Sequence, residues 1–506
     1  MRFSRTKNTL RNIAFGSVNR IINIILPFIS RTVILYVMGT QYLGLSSLFS
    51  SILSFLSLTE LGIGSAMVYS MYKPIAENDY PVIRALLNLY KRIYRIIGTV
   101  ILLLGLCLMP FLSVLVPETL PDGINLHLLY AIYLFNAVLS YWLFAYKNAL
   151  LQAYQRDDLN SKMASLITPL SYLLMLGSLA LTKNYYAYVI WLPVFTVVSN
   201  SIRVALVNRS FPGMEPEGDV SPELKKSIFK KTSALIGTKL NTVVLNAADN
   251  IVMSAFLGLT AIAMYGNYHY IMSSIIGFLG IVYTSMTAGL GNSLQTESLD
   301  DNYRNFEKFS FINTWLVGWC TVCLVCLYQP FMKIWVGEEL MFPFYVVLEI
   351  GLYFFIYQIR KIPVVYKDAA GIWWEDRFRP YVCMVVNVVL NILLVQMIGI
   401  SGIILSTVFS LCVSIPWENY TIFKYVFHRS SRAYYAKMCL STGTMLLAGA
   451  VTLWMCSFLG EGILGFLLRG AVCIILPNLI FIVCNFRRKE FRETTEFVKR
   501  IINRQI

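Results

Sequence analysis

Charged and amide side chains interrupt several long apolar stretches of this 506-residue sequence. In the first stretch, Arg20 and Arg31 are eleven residues apart, which is about three turns of an α-helix and places both on one face, roughly 16 Å from each other. Asn23 follows Arg20 by three residues and joins that face. A guanidinium group can donate two parallel hydrogen bonds to phosphate oxygens. Arg20, Asn23 and Arg31 therefore form a first stripe along one helix face, which would suit an anionic ligand.

A later apolar stretch carries a second stripe of the same kind. Lys239, Asn246 and Asn250 recur there at helical spacing, and a lysine ammonium acts on phosphate as a point charge. Asp249 lies beside Asn250, and it either pairs with Arg31 or reaches water. Together with Glu60, the two stripes and Asp249 are our candidate substrate-binding residues.

Glu60 lies about ten residues inside the second apolar stretch, too deep to reach water easily. It either pairs with Arg20 or Lys239, or carries a proton or a cation. The cations have alternatives as well, because Arg20 and Lys239 could snorkel to the cytoplasm and Arg31 to the opposite surface. A charge in the middle of a membrane is expensive, so each of these residues is a functional hypothesis.

The apolar stretches that carry these residues are membrane spans. Apolar residues make up 57% of the chain and charged residues 14%, against about 25% charged in soluble proteins. This composition excludes a soluble enzyme and a disordered protein, because too few charges remain to coat a soluble surface. A span needs roughly 20 apolar residues. The sequence predicts an all-α polytopic membrane protein with fourteen spans: 14–37, 43–70, 93–116, 127–151, 163–181, 185–207, 232–257, 261–292, 309–330, 342–366, 380–398, 402–424, 438–458 and 463–485.

The loops between the spans alternate in charge. The two termini and every second loop hold 36 of the 42 lysines and arginines. The positive-inside rule then places both termini in the cytoplasm. The net charge of +15 therefore orients the protein in a membrane, and no nucleic-acid partner is predicted.

An internal repeat relates the two halves of the chain. Residues 11–39 align without a gap to residues 230–258, at an offset of 219, so that Gly39 meets Gly258. Six spans per copy is an even number, so the copies are parallel and related by a pseudo-two-fold axis along the membrane normal. The two stripes can then face one central cleft. The predicted divisions are an N-terminal six-helix lobe (1–207), a cytoplasmic linker (208–231), a C-terminal six-helix lobe (232–427), an additional helix pair (428–486) and a basic cytoplasmic tail (487–506).

Several other residues that could bind a metal or carry charge are interpreted as structural. Cys320, Cys323 and Cys326 have metal-like spacing, but they lie in an apolar span with no histidine nearby in sequence, so we expect core packing. Arg469 is expected to snorkel or to contact lipid. The chain has no Walker A phosphate loop, and we predict no catalytic residue, no metal and no cofactor.

The acidic groups near the cytoplasmic surface also receive structural interpretations. The pairs at 157–158 and 375–376 lie in basic loops, which predicts solvated side chains. Glu418 lies near the inner end of its span and is expected at the interface, and Arg360 is expected to follow the positive-inside rule.

Three sequence segments carry a family resemblance. They are the run Arg-Asn-Ile-Ala-Phe-Gly-Ser at 11–17, the turn Gly-Thr-Gln-Tyr-Leu-Gly-Leu at 39–45, and Leu-Thr-Glu-Leu-Gly-Ile-Gly-Ser-Ala at 58–66. With fourteen spans and the six-plus-six duplication, the chain resembles the polysaccharide flippases (Wzx-type) of the multidrug/oligosaccharidyl-lipid/polysaccharide exporter superfamily. The resemblance implies that the substrate is a polyprenyl-diphosphate-linked oligosaccharide, moved from the inner to the outer leaflet by alternating access. Arg20, Arg31 and Lys239 would then contact the diphosphate or an anionic sugar.

The resemblance further implies a multi-pass protein of the bacterial plasma (inner) membrane. Its partners would be membrane lipids and the polymerase and glycosyltransferases of cell-surface polysaccharide synthesis. Two alternatives remain. One is a cation-coupled drug or metabolite exporter of the same superfamily, which would favour an acidic, aromatic cleft. The other is an integral-membrane polysaccharide polymerase or glycosyltransferase, which would need a large outward loop with catalytic carboxylates.

Overall fold

The structure is a computed structural model that describes the backbone of residues 5–502, apart from 61, 62, 118, 119 and 145, and most of their side chains. All regular secondary structure in these ranges is helical, in nineteen α-helices with a few short 3-10 and π segments. The predicted all-α architecture is confirmed.

The chain packs into two compact units, Met1–Ala263 and Met264–Ile506. The first unit contains ten complete helices: α1 (Arg5–Met38), α2 (Thr40–Leu56), α3 (Ile63–Glu77), α4 (Tyr80–Leu108), α5 (Leu112–Leu115), α6 (Leu126–Trp142), α7 (Tyr146–Ala153), α8 (Asp157–Thr182), α9 (Tyr185–Val189) and α10 (Trp191–Ser210). The next helix, α11 (Pro222–Thr296), runs from the first unit into the second. The second unit then contains eight more: α12 (Leu299–Val336), α13 (Phe344–Ile359), α14 (Lys361–Ala370), α15 (Arg379–Ile398), α16 (Ile400–Ile422), α17 (Arg432–Ser457), α18 (Gly462–Asn485) and α19 (Lys489–Ile502).

The predicted number of spans agrees with these helices. Ten described helices are long and apolar enough to cross a membrane, and the bent pair α6 and α7 adds an eleventh span. Gly258 interrupts α11 with a non-helical conformation, which divides it into two spans. Two further spans are broken helices. One consists of α2 and α3, with the break after the 17 residues of α2, and the other of α13 and α14, with the break after the 16 residues of α13. Counted in this way, the described helices can accommodate the fourteen spans that the sequence predicts.

A glycine breaks the helix at equivalent points of the two repeat copies. Gly39, between α1 and α2, has φ 100° and ψ 177°, and Gly258 has φ 86° and ψ 178°. Only glycine enters this region at low cost, because a Cβ would meet the backbone there. The two glycines are 219 positions apart, which is the offset of the predicted repeat, so the duplication extends to an unusual backbone conformation.

The two glycine breaks meet inside the first unit. At Gly44 the backbone of α2 approaches α11 so closely that a Cβ would lie 2.3 Å from the carbonyl oxygen of Leu259. The hydroxyl oxygens of Thr40 and Thr260 are 3.5 Å apart. α2 and α11 are therefore in close contact beside the two glycine breaks.

The boundary between the compact units lies five residues after Gly258. The first half of α11 therefore packs with the first unit, whereas the repeat assigns it to the lobe at 232–427. The predicted divisions follow the repeat and not the packing, and they stay a prediction.

In the second unit, α12 is the central helix. It packs against α13, α17 and α18, and α17 and α18 also pack against each other. The additional helix pair predicted at 428–486 is thus joined to its unit through α12.

Candidate functional site

Arg31 and Asn250, which the repeat places at equivalent positions, both lie near the paired glycine breaks. Each precedes its glycine by eight residues, or about 12 Å of helix. The Arg31 guanidinium donates to the carbonyl oxygen of Ala263 at 3.5 Å, and the Asn250 amide donates to the Ser51 hydroxyl at 2.9 Å. The structure therefore places these two residues where α1, α2 and α11 converge in the first unit.

Asp249, beside Asn250, is buried, with 7% of its surface exposed. A carboxylate in this position keeps its charge only if polar or cationic groups surround it. Its burial excludes the alternative in which it simply reaches water. Asp249 remains a candidate for the interior of the transport path.

The remaining residues of the first stripe, Arg20 and Asn23, are exposed on α1. The Asn23 amide donates to the backbone carbonyl of Asn19 at 2.7 Å and to the side-chain oxygen of Asn19 at 3.0 Å. The N–H groups of Asn23 are therefore hydrogen-bonded within the helix. Within the described part of the chain, no carboxylate lies within ion-pair distance of Arg20. Its guanidinium is available to a ligand or to lipid headgroups.

Two predicted residues of the second stripe, Lys239 and Asn246, have side chains outside the described residues. Only their backbone, in the first half of α11, is described. Their contribution to the site stays a prediction.

Glu60 lies at the end of a 3-10 turn, Ser57–Glu60, that separates α2 from α3. Its two carboxylate oxygens accept hydrogen bonds from different tyrosines: one from the hydroxyl of Tyr94, the other from Tyr141 at 2.9 Å. Tyr90 donates in turn to the hydroxyl of Tyr94 at 2.7 Å. Among the described side chains, no lysine or arginine lies within ion-pair distance of Glu60, so the alternative of pairing with Arg20 is not what the structure shows.

The tyrosine cradle of Glu60, formed by Tyr90, Tyr94 and Tyr141, is tightly packed. The ring centroids of Tyr90 and Tyr94 are 4.3 Å apart, and those of Tyr94 and Tyr141 are 5.5 Å apart. A Cβ at Gly64 would lie 3.0 Å from the Tyr90 hydroxyl. A carboxylate held by phenols can accept a proton or a monovalent cation. The helical spacing of Tyr90 and Tyr94 was visible in the sequence, but their contact with Glu60 was not.

A buried ionic cluster in the second unit was missed in the sequence. Asp376 is 3% exposed and lies 2.5 Å from the Lys367 ammonium and 2.8 Å from the Arg379 guanidinium. Glu418 is 1% exposed and accepts from Arg360 at 2.6 Å and from Arg379 at 3.0 Å. The solvated loop predicted for Asp376 and the interfacial position predicted for Glu418 are both wrong, because the charges pair across α14, α15 and α16.

The first unit has a smaller counterpart of this cluster. Asp158 is fully buried, 3.0 Å from the Arg156 guanidinium and 3.8 Å from the Lys162 ammonium. The solvated position predicted for Asp158 is also wrong. Asp158 and Asp376 are each a buried aspartate that pairs with neighbouring basic side chains, and both clusters are assigned a structural role, not a role in substrate binding.

Burial alone would raise the pKa of the Asp376 carboxyl. The hydrogen bonds and charge of Arg379, together with the charge of Lys367, outweigh burial and hold this pKa below its ordinary value. Asp376 is therefore an anion that binds two fixed cations, and it has no role as a proton carrier.

The architecture defines a class: a polytopic helical membrane protein with a duplicated set of spans broken at equivalent glycines. No protein-family model matches the sequence, and no curated protein sequence matches it significantly. Solved structures do share the fold. The chain is similar to the lipid II flippase MurJ in its inward closed conformation, with 14% identity and a TM-score of 0.66, over 93% of this chain and 98% of MurJ.

Two other transporters of the MOP superfamily are also similar. An inward-facing multidrug resistance MATE family transporter has 13% identity and a TM-score of 0.60, over 79% of this chain and 94% of its own. A transporter from Pyrococcus furiosus, described as having a binding pocket of reverse polarity, has 13% identity and a TM-score of 0.54, over 84% of this chain and 96% of its own. The chain therefore has the fold of MOP superfamily membrane transporters.

Proposed function

We propose that this protein is a flippase for polyprenyl-diphosphate-linked oligosaccharides. It moves the lipid-linked repeat unit from the inner to the outer leaflet of a bacterial plasma membrane, with both termini in the cytoplasm. The observation that carries this proposal is the cationic and amide stripe on α1, where Arg20 and Asn23 are exposed. The similarity to MurJ, which is named as a lipid II flippase, supports it.

The chemistry of the substrate fits these residues. A diphosphate presents several anionic oxygens, and a guanidinium binds such oxygens with two parallel hydrogen bonds. The side-chain oxygen of Asn23 adds an acceptor for sugar hydroxyls. The lipid tail stays in the bilayer while the headgroup crosses by alternating access. Glycosyltransferases would supply the substrate on the cytoplasmic side, and a polymerase would consume it outside.

The test is a set of α1 variants in a strain whose own gene is deleted. A charge-assisted hydrogen bond contributes about 1.5–3 kcal/mol, so Arg20→Ala should reduce export of the repeat unit about 10- to 150-fold. Lipid-linked repeat units should accumulate in the cytoplasmic leaflet, measured by extraction and mass spectrometry. Arg20→Lys should retain part of the activity, because lysine keeps the positive charge but cannot donate two parallel hydrogen bonds to the phosphate.

Lys73→Ala is the matched control, because Lys73 is a cation with 83% of its side chain exposed on α3, outside the stripes. It should export at the wild-type rate. Unchanged export in Arg20→Ala would remove Arg20 from the site, and a deletion strain without accumulated repeat units would overturn the flippase proposal.

A second candidate function is favoured by one specific observation. The carboxylate of Glu60, held by the hydroxyls of Tyr94 and Tyr141, is the kind of acidic, aromatic environment that a cation-coupled drug or metabolite exporter would use. Efflux of cationic dyes that depends on a proton or sodium gradient, and that disappears in Glu60→Gln, would support this candidate. The same assay should show no dye efflux if the protein is the flippase.

A further inference from the structure

Four of the ten cysteines gather in the second unit, on helices that carry none of the predicted substrate-binding residues. Cys326 on α12, Cys456 on α17 and Cys473 on α18 have sulfur atoms that all lie within 4.8 Å of one another. Each of the three residues is at most 5% exposed. The sulfur of Cys323 lies next to this trio, 3.8 Å from the carbonyl oxygen of Cys473. We call Cys326, Cys456 and Cys473 the thiol cluster.

The geometry of the thiol cluster is close to that of a metal site. Metal–sulfur bonds are about 2.3 Å long, so three sulfurs around one ion in a plane are about 4 Å from each other. The sulfurs of the cluster reach this spacing with movements of less than about 1 Å, which are small side-chain adjustments. Each sulfur comes from a different helix, so the bound ion would tie α17 and α18 to α12.

A half-buried cation beside the cluster supplies an independent observation. Arg469 precedes Cys473 by one helical turn on α18, and its charge acts on both Cys456 and Cys473. One of its terminal nitrogens donates to the carbonyl oxygen of Leu459 at 2.8 Å. Its Nε is buried and has no hydrogen-bond partner among the described residues. A half-buried guanidinium with an unused donor favours negative charge nearby, and metal-bound thiolates would provide it.

The donor set selects the kind of metal. In the described part of the chain, the cluster offers sulfur only, without a carboxylate or an imidazole, and apolar side chains such as Val322 and Leu453 surround it. Soft thiolates favour monovalent copper, whereas a structural zinc ion requires four ligands. Three thiolates and one Cu⁺ carry a net charge of −2, which the neighbouring Arg469 guanidinium partly neutralises.

An apolar cavity adjoins the cluster. Cys326 lines an apolar cavity of about 340 Å³ that α12, α13 and α17 enclose. The thioether of Met445 lines the same cavity, and thioethers are soft ligands for the same class of ion.

We propose that Cys326, Cys456 and Cys473 bind a single monovalent copper ion, and that this ion stabilises the packing of α17 and α18 on α12. The three thiols release their protons to solvent when the ion binds. The site goes beyond the proposed transport function and departs from the expectation that this protein binds no metal.

The test uses the full-length protein in lipid nanodiscs under anaerobic conditions. Cu⁺ is added as its acetonitrile complex, excess metal is removed, and retained copper is measured by mass spectrometry. The wild type should retain one equivalent, show about three sulfur neighbours by X-ray absorption, and unfold at a higher temperature with copper than without. Zn²⁺ added in the same way should not be retained.

Matched variants separate the thiol cluster from the other cysteines. Cys326→Ser and Cys473→Ser should lose the retained copper and the copper-dependent rise in melting temperature. A triple variant of three of the four exposed cysteines, Cys107→Ser, Cys412→Ser and Cys484→Ser, should behave as the wild type. If a serine variant does not fold, Cys456→Ala reports through a fall in the number of sulfur neighbours. Copper retained at the wild-type level without the cluster thiols, or no copper retained by the wild type, would overturn the proposal.

Discussion

Replacing Gly258 with alanine should destabilise the break in α11. At φ 86° and ψ 178°, alanine occupies a backbone region that costs about 1–3 kcal/mol for a residue with a Cβ. Rotation of the backbone would not relieve this strain freely, because the next residue, Leu259, packs its carbonyl oxygen against Gly44. We therefore expect the full penalty to appear as a loss of stability.

The same helix provides the control. Gly280 is a helical residue of α11, and a Cβ there would meet nothing within 4 Å. Gly280→Ala should leave stability unchanged or raise it by up to about 1 kcal/mol, because alanine favours helix over glycine. The free energy of unfolding of the two variants should thus differ by about 1–4 kcal/mol, which adds the two effects.

The assay is thermal unfolding of the purified variants in one detergent, followed by the loss of soluble protein and by circular dichroism. Gly258→Ala should melt below the wild type, and Gly280→Ala at or above it. Gly44→Ala should also melt below the wild type, since its Cβ would meet a backbone carbonyl at 2.3 Å. Equal melting temperatures for Gly258→Ala and Gly280→Ala would refute the argument that the glycine break requires glycine.

Further predictions concern Glu60 and Asp376. Glu60→Gln keeps a hydrogen-bond acceptor for the tyrosine cradle but cannot carry a charge, so transport in proteoliposomes should lose any dependence on pH or on sodium, while protein yield stays the same. Asp376→Asn leaves the buried Lys367 without its counter-ion and removes one of the two carboxylates that pair with Arg379. It should cost about 3–5 kcal/mol, seen as a lower melting temperature at pH 7; an unchanged value would contradict the buried cluster. The lowered pKa of Asp376 means that its stabilisation is present above the unfolded-state pKa of about 3.9 and is lost as the pH falls through the folded-state value. The melting temperature of Asp376→Asn should therefore depend less on pH below about 4 than that of the wild type.

Features that depend on local sequence were predictable. Apolar length determines the spans, and loop charge determines the expected orientation, so both follow from composition along the chain. The repeat was visible because it includes Gly39 and Gly258 at one offset, and the structure confirms that both adopt a conformation that requires glycine.

Features that depend on contacts between distant helices were not predictable. Asp376 and Glu418 were expected in polar surroundings, because nothing in the sequence indicated that Arg379 from α15 lies between them. In the same way, the spacing of Cys323 and Cys326 in the sequence indicated only contacts between cysteines within α12. The partners of Cys326 instead come from two other helices, which only tertiary packing brings together.

The candidate site lies between these two cases. Its residue types and helical spacing follow from the sequence, and the structure shows Arg20 exposed and Asp249 buried. The tyrosine cradle of Glu60 could not be anticipated, because Tyr94 and Tyr141 are 34 and 81 residues away from Glu60 in the chain.

The most direct test of the central claim is a flipping assay in proteoliposomes with a fluorescent polyprenyl-diphosphate-linked disaccharide. Protection of the fluorophore from an external quencher reports the leaflet. We predict flipping by the wild type, a reduction of about 10- to 150-fold in Arg20→Ala, and little flipping of an analogue that lacks the diphosphate. Equal flipping of both lipids, or an equal rate in Arg20→Ala, would contradict an anionic substrate bound by the stripe on α1.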